Sequence, residues 1–191
     1  MKHLFTFLLA ILLCIPVWAQ DDEGKEEKSS SKTLEFMSTD GTFLLKEYID
    51  LGKVKGVKCE VAIITDVVSG KKMGCMRLET KEVGSYSTYI GTLDYDELDA
   101  CVQSINYIIE TILPSTPENY TELEYKTRDG VKVGAFYREN TNLRKKQWSA
   151  YIYTKGYTSR SAAFFDSENL AELRDKMLKA KEIISQMVDI I

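Results

Sequence analysis

The chain is built twice from one pattern. Leu93-Asp94-Tyr95-Asp96-Glu97-Leu98 and Phe165-Asp166-Ser167-Glu168-Asn169-Leu170 each end a strand-like run at an aspartate and start a helical apolar pattern four residues later. The two aspartates lie 166 − 94 = 72 residues apart. Upstream, Gly130-Val131-Lys132 repeats Gly56-Val57-Lys58, and Lys145-Lys146 repeats Lys71-Lys72, both at an offset of 74. Ile49 and Leu51 find Leu123 and Tyr125 at that same offset. Downstream, Leu98, Cys101, Ile105, Ile108 and Ile112 match Leu170, Leu173, Met177, Ala180 and Ile184 without a gap. A register kept through four strand-like runs and a helix, with one two-residue adjustment in a loop, marks a duplicated unit.

Periodicity supplies the content of each unit. In the first copy a short strand is expected over Thr33 to Thr39, with Asp40-Gly41 as a hairpin turn into Phe43 to Leu51. Val57, Cys59, Val61, Ile63 and Val67 then fall on one side of a strand, with Lys58, Glu60 and Asp66 on the other. Gly74, Met76 and Leu78 continue the buried side, and Ser85 to Leu93 reads as a further strand. From Leu98 the spacing of Cys101, Val102, Ile105, Ile108, Ile109 and Ile112 is that of an amphipathic helix lying on a sheet.

The expected fold is therefore α+β: a tandem ββββα repeat, antiparallel sheet with two amphipathic helices packed on it. Residues 33–191 form one domain of two repeats, 33–113 and 118–191, joined at Pro114 to Pro117. One merged sheet and two separate sheets both satisfy the pattern. A unit of about 75 residues has a marginal core alone, so the copies are expected to fold together.

Ahead of the repeats, residues 1–19 have a basic start, an apolar run and Val17-Trp18-Ala19 before Gln20, the layout of a secretory signal peptide. Residues 20–32 carry acidic and serine runs with nothing to bury and read as a disordered linker. No later run reaches the roughly 18 apolar residues of a membrane span. The expectation is export to the periplasm or exterior.

Cleavage there removes His3, the only histidine. Ser-His-Asp triads, Cys-His pairs and histidine-bearing zinc sites are then excluded, and neither a cofactor nor a metal is expected. The remaining 24 Lys and Arg stand against 29 Asp and Glu, because only Lys2 leaves with the peptide. Such a chain is not drawn as a whole to nucleic acid or anionic membrane. Cys59, Cys75 and Cys101 remain; their odd number leaves at least one unpaired or bridging two chains. They read first as small buried hydrophobes, with one disulfide left open.

Asp94 and Asp166 could share acid and base roles as a carboxylate pair, but an Asp directly before a helix caps its free N–H groups, and Glu97 stands at capping-box spacing from Asp94. They are read as helix caps. The candidate ligand-binding face is the side of the strands turned away from the helices, carrying Lys58, Arg77, Lys132, Phe136, Arg138, Tyr151 and Tyr153. Tyr and Arg suit a protein interface, and aromatic side chains among cations can also stack bases. Arg174, Lys176, Lys179 and Lys181 alternate with acids and read as a solvated helix face.

The order of elements resembles that of the Whirly-type single-stranded-DNA-binding fold. Ile90-Gly91-Thr92-Leu93-Asp94 through Ile112, with their counterparts Ala162 to Ile184, carry the resemblance. It implies the fold and not the function, because no lysine-rich binding motif lies between the first strands. The chain is also similar to small secreted bacterial proteins of unassigned activity, a likeness that implies none. The sequence thus points to an exported, non-enzymatic binding or scaffold protein with a protein or glycan partner, or a homodimer. Single-stranded nucleic-acid binding and a carboxylate-based hydrolase are the alternatives.

Overall fold

The structure, a computed structural model, describes residues 31–81, 84, 86–140, 145–156 and 158–188. The expected signal peptide and residues 20–30 of the expected linker lie outside the described residues. Four strands, β1 (Leu44–Val54), β2 (Val57–Asp66), β3 (Lys72–Lys81) and β4 (Thr88–Asp94), form one antiparallel sheet in sequence order. A 3-10 turn leads into α2 (Leu98–Tyr107), which ends in a π-helical turn at Ile108–Ile112. The second repeat follows with β5 (Thr121–Lys126), β6 (Lys132–Asn140), β7 (Lys145–Tyr153), β8 (Ala162–Phe165) and α3 (Ser167–Met187). Its strands form a second antiparallel sheet, again in sequence order. The α+β tandem ββββα order is thus present, as two sheets rather than one.

Two local expectations are corrected. Lys32–Met37 is a short helix, α1, not a strand. Ser31, expected in a disordered linker, is its buried N-cap and accepts the Leu34 N–H at 3.3 Å. A strand there would need a partner edge, whereas the helix covers part of the first sheet's outer face with Phe36 and Met37. Val67, expected on the buried side of β2, lies past the strand's end and is exposed.

The main core is one continuous cluster, because the period-two face of every central strand points inward, and a small second cluster of Ala62, Ile64 and Cys75 lies under α1. Val57, Cys59, Val61 and Ile63 meet Met76, Leu78 and Leu93 from the first sheet; Val131, Val133, Ala135 and Ile152 enter from the second. Leu98, Cys101 and Ile105 of α2 and Leu170, Leu173, Met177 and Ile184 of α3 fill the space between. Burying each large aliphatic side chain contributes about 1.5–3 kcal/mol.

The helices are exchanged between the repeats. α3 lies over the first sheet, where Ile184 sits against Gly74 and Lys176 Nζ donates to the Leu51 carbonyl at 2.7 Å. Lys176 is therefore not on a solvated face. α2 lies beside β5 and β6, and the Tyr125 hydroxyl donates to the Glu97 carbonyl at 3.2 Å. The sheets meet near a pseudo-two-fold point at which Thr80 and its counterpart Thr154 share a hydroxyl–hydroxyl hydrogen bond of 2.7 Å. Beside it Gly91 abuts the Thr154 carbonyl, and Thr92 N–H and hydroxyl both donate to Asp129, at 2.9 and 3.0 Å.

The three cysteines are free and buried. Burial pushes each thiol up to about 12, so all are protonated and poor nucleophiles at neutral pH.

Candidate functional site

The two repeat-related aspartates differ. Asp166 is the N-cap of α3, is exposed, and accepts the Asn169 N–H at 2.8 Å. Asp94 stands in a capping box whose Glu97 accepts the Asp94 N–H at 3.0 Å. Asp94 is also only 2% exposed, and its carboxylate ties down α1. Oδ1 accepts the Ser31 hydroxyl at 3.0 Å and the Thr33 N–H at 3.1 Å; Oδ2 accepts the Lys32 N–H at 2.8 Å. Arg128, from the β5–β6 hairpin, places Nη2 3.0 Å from Oδ2.

Arg128 also pairs with the neighbouring Asp96, which Lys32 approaches at 2.8 Å from the other side. The Arg128 hydrogen bond, joined by that of Lys32, holds the Asp96 carboxyl down at about 2. An unfolded Asp titrates near about 4, so this group's contribution to stability is present above that pH and is lost as pH falls from about 4 to about 2. The pair is part-exposed and hence screened. Asp96→Asn is expected to flatten the acid limb of a stability–pH curve in that window, leaving the curve above pH 5 parallel to that of the unsubstituted protein.

The seven residues of the expected ligand face divide between the sheets. Lys58 and Arg77 are on the outer face of the first, where a charge ladder occupies them. Lys58 pairs with Glu60, and Arg77 pairs with Glu60 and with Glu79 at 2.8 Å. The Glu60 hydrogen bond raises the Lys58 pKa. These cations have their counter-ions within the sheet. Glu60 and Glu79 share their period-two face, and that alternation is visible in the sequence.

The second sheet carries Lys132, Phe136, Arg138, Tyr151 and Tyr153 together on its outer face. Two of them are not available to a ligand. Tyr151 is 2% exposed, its ring laid across Gly134, where a β-carbon would come within 2.6 Å of the phenol oxygen. Its hydroxyl is shared between Glu122 at 3.0 Å and Glu124 at 3.1 Å, and burial, reinforced by the Glu122 hydrogen bond, pushes the phenol up. Lys132 is likewise 2% exposed, with Nζ 3.1 Å from Glu124. Both are internal groups, satisfied by the edge strand β5.

What remains outward is aromatic. Phe136 lies 5.9 Å from Tyr151, Tyr151 lies 5.2 Å from Tyr153, and Phe164 meets Phe136 edge-on at 6.3 Å. The Arg138 guanidinium sits 4.7 Å from the Phe136 ring centre. Phe164, 54% exposed, was not among the expected site residues. The alternation in β8, with Phe165 in the core and Phe164 outward, is the signal that marks it. Beside these rings runs a cleft of about 450 Å³ lined by Lys55, Phe136, Arg138, Ser149, Phe164 and Asp166 among others. A second groove of about 400 Å³ separates α2 from β5.

Among the described residues no cluster of three or more His, Cys, Asp or Glu side chains is placed to hold a metal ion, and no helix is long and apolar enough to cross a membrane. No protein-family model matches the chain, and no curated protein matches it.

Proposed function

We propose that the chain is an exported, non-enzymatic binding protein whose outer face on the second sheet takes a protein partner. The observation that carries this reading is the contrast between two equivalent faces. On the first sheet α1 covers part of the outer face and a ladder of internal ion pairs occupies Lys58 and Arg77, with Tyr48 left exposed under Arg77. On the second, Phe136, Tyr153, Phe164 and Arg138 form an aromatic and cationic patch beside a cleft. Aromatic residues and Arg are favoured in interface cores, where they supply area and planar hydrogen bonding together. Nucleic acid suits the face less well. Lys132 is buried against a carboxylate, which leaves Arg138 and Lys55 as the cations at the cleft, few to track a phosphate backbone.

The test compares the unsubstituted chain with Phe164→Ser and Arg138→Glu variants. Both substitutions are at the surface and are expected to shift stability by no more than about 0.5 kcal/mol, read by urea denaturation. Cross-linking of the exported chain in intact cells, followed by mass spectrometry, is expected to yield a protein partner that both variants lose. An unchanged cross-link pattern in both variants refutes the reading. So does oligonucleotide binding whose affinity falls steeply with added salt.

A further inference from the structure

We infer that the cleft on the second sheet takes the first turns of a short amphipathic helix, beginning at a Ser or Thr, supplied by a partner protein. The inference rests on the proposed protein-binding role and specifies the segment that binds. It comes from laying one repeat on the other. The offset of 74 carries Phe136 onto Ala62, Arg138 onto Ile64 and Ser149 onto Cys75, and the offset of 72 carries Asp166 onto Asp94. Those four counterparts are the surface that α1 occupies: Phe36 and Met37 pack on Ala62, Ile64 and Cys75, while Ser31, Lys32 and Thr33 donate to Asp94. The cleft is therefore the second copy of a helix-binding surface whose first copy is filled by the chain's own α1. Among the described residues no helix covers it.

The differences between the copies define the occupant. Arg128, which balances Asp94, has Val54 as its counterpart, and Val54 is buried in the core. Asp166 thus carries its carboxylate beside the cleft with one hydrogen bond, from Asn169 N–H. It can accept the N–H groups and hydroxyl of an incoming helix start as Asp94 accepts those of α1. Ala62 and Ile64 are replaced by Phe136 and Arg138, and Thr92 by Phe164, so the floor offers aromatic faces to large apolar side chains. Lys55 and Arg138 line the same cleft and complement an acidic residue in the first turns. The volume lies inside the roughly 300–1,000 Å³ of ligand pockets. A second copy of this chain is a poor source of the helix, since withdrawing its α1 would expose buried Ser31 and Thr33.

A synthetic peptide with the sequence Ser31-Lys-Thr-Leu-Glu-Phe-Met37, extended by two alanines, is a probe with the required chemistry. Titrated into the isotope-labelled chain, it is expected to shift amide resonances of Phe136, Arg138, Ser149, Phe164 and Asp166 and to leave those of Asp94 and Cys75 in place. Asp166→Asn keeps a good helix cap and is expected to weaken binding about fivefold, through loss of charge-assisted hydrogen bonds. Arg138→Glu is expected to weaken it similarly and to be rescued by a peptide with Lys in place of its Glu. Shifts confined to Asp94 and Cys75, or an affinity indifferent to Asp166→Asn and to the charge swap, overturn the inference. A cross-linked partner that depends on Phe164 and Arg138, in a chain that does not take the peptide, overturns the helix chemistry and leaves the protein-binding role standing. Cross-links indifferent to both residues remove the role and the inference together.

Discussion

Asp94→Ala is expected to lower the unfolding free energy by about 3 kcal/mol, whereas Asp166→Ala, at the equivalent position of the second repeat, is expected to cost about 1 kcal/mol. The sequence equates the two residues as helix caps, and a cap alone is worth about 1 kcal/mol. Asp94 does more. Its removal takes away an acceptor of the Ser31 hydroxyl and of the Lys32 and Thr33 N–H groups, and it deprives Arg128 of one of its carboxylate partners. Asp166 is exposed and holds one N–H. The difference is measurable as separate urea midpoints with a common slope. A second readout is local. α1 has six residues, too few to persist without tertiary anchorage, so hydrogen exchange of its amides should become fast in Asp94→Ala and remain slow in Asp166→Ala. Equal losses of stability, with α1 still protected in both, would show that the Asp94 hydrogen bonds do not anchor the helix.

Gly91→Ala should do comparable damage with a single methyl group. A β-carbon at Gly91 would lie 2.0 Å from the Thr154 carbonyl oxygen and 2.4 Å from Val131 Cγ2. A main-chain oxygen cannot rotate away, so the two sheets must separate locally, and overpacking of this kind costs about 3 kcal/mol. The counterpart of Gly91 at the offset of 72 is Ala163, which supplies an internal control. Ala163→Gly is expected to cost no more than about 1 kcal/mol, from added backbone freedom in the unfolded chain. A Gly91→Ala protein with an unshifted denaturation midpoint would mean that β4 and the end of β7 do not pack as described.

Much of this architecture is legible in the sequence because it is written in periods. The period-two faces of β2 and β3 and the helical spacing of α2 and α3 name the core residues, and the offsets of 74 and 72 name the repeat. Burial on the outer faces is not periodic in the same way. Lys132 and Tyr151 read as outward groups by alternation, yet Tyr151 lies over Gly134 and both find carboxylates on β5. Only the register of β5 against β6 decides that, and a strand's register against its neighbour is not a local property. α1 shows the same limit. Leu34, Phe36 and the residues between them suit a strand or a helix over so short a run. The choice is made by Asp94, some sixty residues away, whose carboxylate accepts the N–H groups at the start of a helix.

The exchange of helices between the repeats bears on how such a chain arose. A lone ββββα unit has no complete core, because its helix lies over the other unit's sheet. An unduplicated forerunner would have been an intertwined two-fold dimer, with identical outer faces obliged to change together. With the two units on one chain, joined through Pro114 to Pro117, that obligation is absent. One outer face is free to carry the chain's own N-terminal helix while the other carries Phe136, Arg138 and Phe164. Separate synthesis of residues 31–113 and 118–191 would recreate the forerunner's situation, two halves that fold only on meeting.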